Sequence, residues 1–437
     1  MQIAVVGTGY VGLVAGAGLA DLGQTVTCVD IDREKIRLLG EGAIPIFEPG
    51  LEELVRRNLQ QGRLRFSADI PGVLRNSLVV FLAVGTDPTA GGLPDLTQIW
   101  SAADAVADNL DDYKVIVIKS TVPVGTAAKL QQRIAERVGR SQTFDVVSNP
   151  EFLREGAAVT DFFHPNRIVV GTSSDRATAI IKEIYRPLYL VQTPFLVTTW
   201  EAAELIKYAA NSFLALKVSF VNELANLCDA VGPAIDVHVV VNALGMDPRI
   251  GSKFLHPGPG FGGYCLPKDA RALVEIAKDH GEDFKTVEAA IAVNQEQYRR
   301  LLRKLEKGLG TLAGKTIAVL GLSFKPNTDD IRESRALLFC KTLLSEGSSL
   351  RVFDPAAMEP ARRSLGDRGV TYCSHAYEAV TGADAAVICT EWNEFRNLDL
   401  SRVKEAMRGN VLVDAKNILD LEKAKAVGFR YFGMGRN

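Results

Sequence analysis

Of the six cysteines in the chain, one stands in a sequence suited to reactivity. Cys265 lies in Phe261-Gly262-Gly263-Tyr264-Cys265-Leu266-Pro267-Lys268-Asp269, between a glycine loop and a predicted helix start, with Pro267 near the first helical position. The positive end of a helix, with Lys268 beside it, favours the thiolate, and the glycines let a ligand approach the backbone. In a helix Cys265 and Asp269 share one side. Lys207 and Asn211 have the same spacing within an otherwise apolar segment, so an ammonium and an amide share a face where they can stabilise an oxyanion or form ordinary hydrogen bonds. Cys28, Cys228, Cys340, Cys373 and Cys389 read as small buried hydrophobes. No CxxC pair or Cys/His spacing suggests a metal.

A second constellation concerns a cofactor. Gly7-Thr8-Gly9-Tyr10-Val11-Gly12 follows an apolar run and precedes a helical one, and Asp30 ends the next apolar run. This is the dinucleotide fingerprint: a tight turn, bare backbone against a pyrophosphate, close helix-strand packing, and a carboxylate for a ribose hydroxyl. Asp30 repels a 2′-phosphate and so favours NAD over NADP, with Arg33 and Lys35 nearby acting in the opposite sense. Ser120-Thr121-Val122-Pro123 and Asn149-Pro150-Glu151-Phe152-Leu153-Arg154-Glu155 follow two further strands, at the ends where open α/β sheets bind ligands.

The elements that must position these residues follow from the pattern. Apolar β-branched runs at Ile3 to Val6, Thr25 to Val29, Leu78 to Val84, Val115 to Lys119 and Ile168 to Gly171 alternate with helical stretches and lack polar alternation, which predicts a mostly parallel sheet buried on both faces. From Trp200 to about Asp229 a single helix is expected, apolar on more than one face and so packed within the chain or against a second copy. The α/β alternation restarts at Lys315, with strands at Leu350 to Phe353, Ala385 to Cys389 and Val411 to Val413 but no second GxGxxG. The expectation is an α/β protein: two Rossmann-like doubly wound domains joined by a central helical region, divided as 1–198, 199–310 and 311–437. A chain of 437 residues exceeds the roughly 250–300 residues at which single cores stop growing, which agrees. The formal charge of -2 without a basic block excludes a nucleic-acid or anionic-membrane footprint. No apolar run suits a membrane span, and Met1-Gln2-Ile3-Ala4 reads as a core strand rather than a signal peptide, so a cytoplasmic protein acting on a small molecule is expected.

Taken together, these segments resemble the UDP-glucose/GDP-mannose dehydrogenase family along essentially the whole chain, and are most similar to its UDP-glucose 6-dehydrogenases. The likeness rests on GTGYVG at Gly7, STVPVGT at Ser120, NPEFLREG at Asn149, NRIVVG at Asn166, the helix around Lys207 and Asn211, DPRIGSKFL at Asp247, PGFGGYCLPKD at Pro259 and SFKPNTDDIRES at Ser323.

The resemblance implies NAD-dependent four-electron oxidation of a nucleotide-sugar C6 alcohol to an acid through a thiohemiacetal and a thioester on Cys265. It gives Lys207 and Asn211 the C6 oxygen anion, Asp269 a proton-transfer or water-positioning role, and Thr121 and Glu151 a catalytic water. Cofactor contacts would be Gly7, Gly9, Val11, Gly12, Asp30, Lys35, Thr86, Thr121, Glu155, Lys268 and Arg332. Substrate contacts would be Glu151, Phe152, Leu153, Arg154, Glu155, Lys207, Asn211, Phe254, Leu255, His256, Pro257, Gly258, Gly262, Phe324 and Lys325. Arg249 would reach the substrate of a neighbouring subunit, which implies a homodimer, with 199–310 as the dimerisation region and 311–437 holding the UDP-sugar.

Three positions depart from the family pattern: Asp87 before Pro88, which puts the role of Thr86 in question; Tyr264, where many relatives carry serine; and Lys416, where arginine is common. The last bears on selectivity, because an ammonium does not replace a planar guanidinium fork. Competing readings are the same chemistry on GDP-mannose or a UDP-N-acetylhexosamine, a two-electron hydroxyacid-type dehydrogenase that needs no thiol, and a non-enzymatic NAD-binding regulator.

Overall fold

The computed structural model describes residues 1–89, 91–138 and 143–436. The chain divides into two compact units, Met1–Ala210 and Asn211–Asn437.

The first unit is built on eight strands: β1 (Gln2–Val6), β2 (Thr25–Val29), β3 (Leu64–Ser67), β4 (Val79–Leu82), β5 (Lys114–Ile118), β6 (Phe144–Ser148), β7 (Ile168–Gly171) and β8 (Phe195–Thr198). They lie in the order β3-β2-β1-β4-β5-β6-β7-β8. β1 to β6 pair in parallel, β7 runs antiparallel to β6, and β8 is parallel to β7. Successive residues along the central strands feed opposite cores. Ile3, Val5, Val79, Phe81, Val115 and Val117 belong to one cluster, while Ala4, Val6, Val80, Leu82, Ile116 and Ile118 belong to another. Helices cover both faces, which is why these runs show no polar alternation. Each buried valine, leucine, isoleucine or phenylalanine among them contributes about 1.5–3 kcal/mol.

The second unit has six strands, β9 (Thr316–Leu320), β10 (Ser349–Phe353), β11 (Val370–Tyr372), β12 (Ala385–Ile388), β13 (Val411–Asp414) and β14 (Arg430–Gly433). Their order, β11-β10-β9-β12-β13-β14, repeats the winding of the first six strands, and every pairing is parallel. Three long helices precede the sheet. The longest, Trp200–Val231, runs slightly beyond the expected Asp229 and begins in the first unit; Cys265–Asp279 and Lys285–Leu309 follow. The architecture is therefore α/β, with Rossmann-like sheets toward both ends and helices between. Among the described residues no helix is long and apolar enough to cross a membrane.

Candidate active site

The glycine turn opens the first unit as its sequence requires. Gly7 has φ 97° and donates its N–H to Val29 O at 2.8 Å. A Cβ on Gly12 would stand 2.0 Å from Gly7 O, so the helix Tyr10–Asp21 packs against its own turn only without a side chain there. A Cβ on Gly9 would meet nothing within 4 Å, and no side chain caps that helix. The helix thus starts beside open space at Gly9 with no side chain capping its first-turn N–H groups, an arrangement suited to a pyrophosphate. Asp30 Oδ2 accepts from Thr8 N at 2.8 Å, Thr8 Oγ1 at 2.6 Å and Lys35 Nζ at 3.3 Å. Burial opposes its ionisation, but the Thr8 hydrogen bonds, then Asp32 N–H and the Lys35 charge, outweigh it and hold the carboxyl below the ordinary value. Lys35, a predicted cofactor contact, is thus engaged with Asp30. Thr86 is buried beyond β4, and Thr121 is half-buried beyond β5.

The segment 149–157 follows β6. Glu151 Oε1 accepts from Lys207 Nζ at 2.8 Å, with both residues buried, and Oε2 accepts from Leu153 N at 2.5 Å. Burial alone would raise the Glu151 carboxyl; the Lys207 charge and hydrogen bond, the Leu153 N–H and the Lys119 charge lower it below its ordinary value. The Phe152 ring carries the Arg167 guanidinium at 3.7 Å and the Lys207 ammonium at 5.5 Å. Arg154 is exposed and paired with Asp161 through Nη2 at 2.6 Å and Nε at 2.9 Å. Three residues that the motifs did not flag hold this region. Lys119 donates to Asn149 Oδ1 at 3.1 Å. Glu204, on the long helix, accepts from Gly125 N at 2.7 Å and Ala127 N at 2.8 Å, fixing the turn that follows Thr121. Glu48 accepts from the Tyr10 hydroxyl and from Gly156 N at 2.6 Å and Ala158 N at 2.8 Å. A charge in a buried run is the signal for Lys119 and Glu204; Glu48 offers none.

In the second unit Cys265 is the first residue of its helix, with Tyr264 at the cap and Pro267 within the first turn. It is half-buried, whereas the other five cysteines are buried. Burial pushes the Cys28 and Cys389 thiols up to about 12, conditions in which no nucleophile forms. Asp269 is buried on that helix and accepts from Asn211 Nδ2 at 2.6 Å and from Lys268 Nζ at 2.8 Å. The Lys268 charge is therefore directed at Asp269, and its ammonium also lies 5.3 Å from the Tyr264 ring. Arg332 stacks on the same ring at 4.3 Å and pairs with Asp330 at 2.8 Å. The departure at Tyr264 thus supplies a platform for two cations.

Buried amides shape the glycine loop. Asn222 Oδ1 accepts from Gly258 N at 2.8 Å, Asn294 exchanges hydrogen bonds with both backbone groups of Phe261, and Gln297 donates to Gly258 O at 3.2 Å. A Cβ on Gly262 would stand 2.6 Å from Glu333 O, and one on Gly263, at φ 79°, 2.6 Å from the Phe324 ring. Both glycines are thus needed for the loop to lie against the segment carrying Phe324, Lys325 and Arg332. Phe254 has φ 63°, a left-handed conformation rare for an aromatic residue. Leu255, Pro257 and Gly258 are buried while His256 is exposed. Lys416 lies 3.3 Å from where a Gly258 Cβ would stand and pairs with Glu391 at 2.9 Å. Arg249 is exposed and pairs with Asp247 in its own loop, through Nη2 at 2.5 Å. No cluster of His, Cys, Asp and Glu suits a metal among the described residues.

An open helix start after a glycine turn, with a carboxylate ending the next strand, is the arrangement of dinucleotide-dependent oxidoreductases. Family models match in three consecutive parts: the NAD binding domain of the UDP-glucose/GDP-mannose dehydrogenase family over residues 1–189, its central domain over 201–296 and its UDP binding domain over 318–421. The chain belongs to the UDP-glucose/GDP-mannose dehydrogenase family. It is 48% identical over 440 residues to a UDP-glucose 6-dehydrogenase of Rhizobium meliloti, with 100% of both chains covered. A UDP-glucose dehydrogenase structure from Pyrobaculum islandicum has a TM-score of 0.92 at 39% identity, covering 100% of this chain and 98% of that one. A UDP-D-ManNAc dehydrogenase from Pyrococcus horikoshii has a TM-score of 0.87 at 30% identity, covering 100% and 99%.

Proposed function

We propose that this protein oxidises the C6 alcohol of UDP-glucose to UDP-glucuronate, with Cys265 as a covalent nucleophile. The observation that carries the reading is the Cys265 thiol, half-buried at a helix start where first-turn N–H groups favour the thiolate, while every other cysteine is buried. When bound, NAD supplies the oxidising power, one molecule accepting each of the two hydrides that leave C6. As the first hydride leaves, the hydroxyl proton passes to the water held by Thr121 and Glu151, while Lys207 and Asn211 donate to the C6 oxygen and stabilise its developing negative charge. The Cys265 sulfur adds to the aldehyde carbon and forms a C–S bond; loss of the second hydride leaves a thioester. Water then attacks the acyl carbon, the C–S bond breaks, and the thiolate departs. Asp269, or Glu151 with Thr121, takes the proton from that water. The turn Gly7, Gly9, Val11 and Gly12, with Asp30 and Glu155, holds the cofactor; Lys268 and Arg332, bound to Asp269 and Asp330, reach it by sharing those donors. Lys325, with Phe324 and the loop Phe254 to Gly258, takes the nucleotide diphosphate. The work divides as 1–198 for NAD, 199–310 for the thiol loop and subunit contact, and 311–437 for the nucleotide sugar, in a cytoplasmic protein.

The subunit contact has its own support. Phe213, Phe220 and Leu227 recur every seven residues along the long helix, followed by Val231, and are 61%, 52%, 59% and 61% exposed. Such a stripe is one face of a helix and calls for an apolar partner. A second copy covers it, forming a homodimer in which Arg249 reaches the neighbour's substrate.

The substrate is tested by measuring kcat/KM for UDP-glucose against UDP-N-acetylglucosamine, UDP-N-acetylmannosamine and GDP-mannose. The reading expects UDP-glucose to lead by at least about tenfold, the discrimination that one displaced or unpaired polar contact supports. A higher value for an N-acetylated sugar would transfer the same chemistry to that substrate, with Lys416 the first position to exchange.

A further inference from the structure

A second buried lysine belongs to the Glu151–Lys207 cluster and has no part in the reaction set out above. Lys119, directly after β5, is 7% exposed, against 6% for Glu151 and 3% for Lys207. Its Nζ is fixed by Asn149 Oδ1 at 3.1 Å; Asn149 also accepts from the Tyr185 hydroxyl at 2.8 Å and donates to Val169 O at 2.7 Å. Two ammonium groups and one carboxylate are therefore withdrawn from water together. Linking β5 to Asn149 needs a donor but not a charge, and burying a charge is costly unless opposite charge compensates it. The titratable groups facing Lys119 are Glu151 from the segment after β6, Lys207 from the long helix, and Tyr185 beside Asn149, whose hydroxyl burial pushes up and keeps neutral. Burial pushes Lys119 down to about 8, the Glu151 carboxylate opposing this and the Lys207 charge adding to it. In the other direction, Lys119 is among the charges that keep Glu151 ionised.

We propose that Lys119 is a positioning residue for the reaction proposed above: its buried charge holds the Glu151 carboxylate in its ionised form while Lys207 turns toward the substrate oxygen. The inference rests on that reading for the role of Glu151, but not for the coupling between the two groups. Removing the charge while keeping a donor leaves Glu151 with one fewer cation, so a higher pH is needed to ionise it.

The test compares pH profiles of kcat and kcat/KM for the full-length protein with those of Lys119→Gln and Lys119→Arg. Lys119→Gln moves the acid limb upward by on the order of one pH unit, and Lys119→Arg leaves it in place even if the rate falls. A slower Lys119→Gln enzyme with an unmoved acid limb, or a Lys119→Arg limb displaced equally, would reduce Lys119 to a structural tie and overturn the proposal. A second measurement needs no turnover: 13C NMR of lysine Cε, with Lys119 assigned by its loss in Lys119→Arg. Its midpoint falls in Glu151→Gln if the groups are coupled, and an unchanged midpoint overturns the proposal. Absence of activity on UDP-glucose with the NMR coupling intact would count against the functional reading alone.

Discussion

The two sheets begin alike and then diverge. Gly7 has φ 97° and donates to Val29 O at 2.8 Å; Gly321 has φ 93° and donates to Phe353 O at 2.8 Å. Each second strand is followed by an aspartate, Asp30 after β2 and Asp354 after β10. In the first unit the helix starts at Tyr10, directly behind the turn, whereas in the second it waits until Arg335. Asp30 keeps 14% of its side chain accessible. Asp354 is 1% exposed and accepts from Leu322 N, Ser323 N and Oγ, Ala356 N, Ala357 N and Trp392 Nε1 at 2.7–3.2 Å. A carboxylate has about four acceptor sites; Asp354 meets six donors and is closed off from solvent, whereas Asp30 meets four and keeps an accessible edge. The same winding therefore leaves one aspartate partly accessible at the end of its strand and encloses the other among backbone donors.

Substitutions can break that contrast. The largest effect is expected at Gly12→Val, whose side chain would meet Gly7 O, at 2.0 Å already from the Cβ position. NADH formation should fall at least about 100-fold through loss of cofactor placement, with the circular dichroism spectrum retained. Next, Asp354→Asn sets an amide donor against backbone donors and should lower unfolding free energy by roughly 3 kcal/mol in urea titration while leaving the KM for NAD unchanged. Asp30→Asn should do the reverse, raising the KM for NAD about tenfold and changing stability by less than about 1 kcal/mol. If both variants moved the same quantity, the division of labour would be wrong.

The smallest effect concerns acid. The Asp30 carboxyl is held below its ordinary 3.8 in the folded protein, so its contribution to stability is present above that pH and is lost as pH falls through the lower folded value. Asp30→Asn should therefore lose slightly less stability than the parent between pH 5 and 3, read from urea midpoints.

Much of this contrast was legible in the sequence. The glycine fingerprint with Asp30, the long helix and the cysteine at a helix start all depend on local pattern, and the structure has each of them. Strands β3, β8, β11 and β14 were not anticipated, because they are short edge strands and three of them are partly exposed along much of their length, so that Leu64-Arg65-Phe66-Ser67 carries no buried run. The enclosure of Asp354 was hidden for another reason: its donors come from turns and from Trp392, far away in sequence, and only the folded sheet brings them together. The same holds for Lys119 and Glu204, whose partners Asn149 and Gly125 lie on other elements. Lys268 and Arg332 looked like available cations in the sequence; the structure gives each an acidic partner within hydrogen-bond reach.

The central claim is that Cys265 carries C6 through a covalent acyl stage, and its most direct test is NADH formed per UDP-glucose consumed, for the parent and for Cys265→Ala. The account predicts two NADH per sugar from the parent and no sustained turnover to the acid from the variant. One NADH per sugar, or an alanine variant that still delivers two, would contradict it.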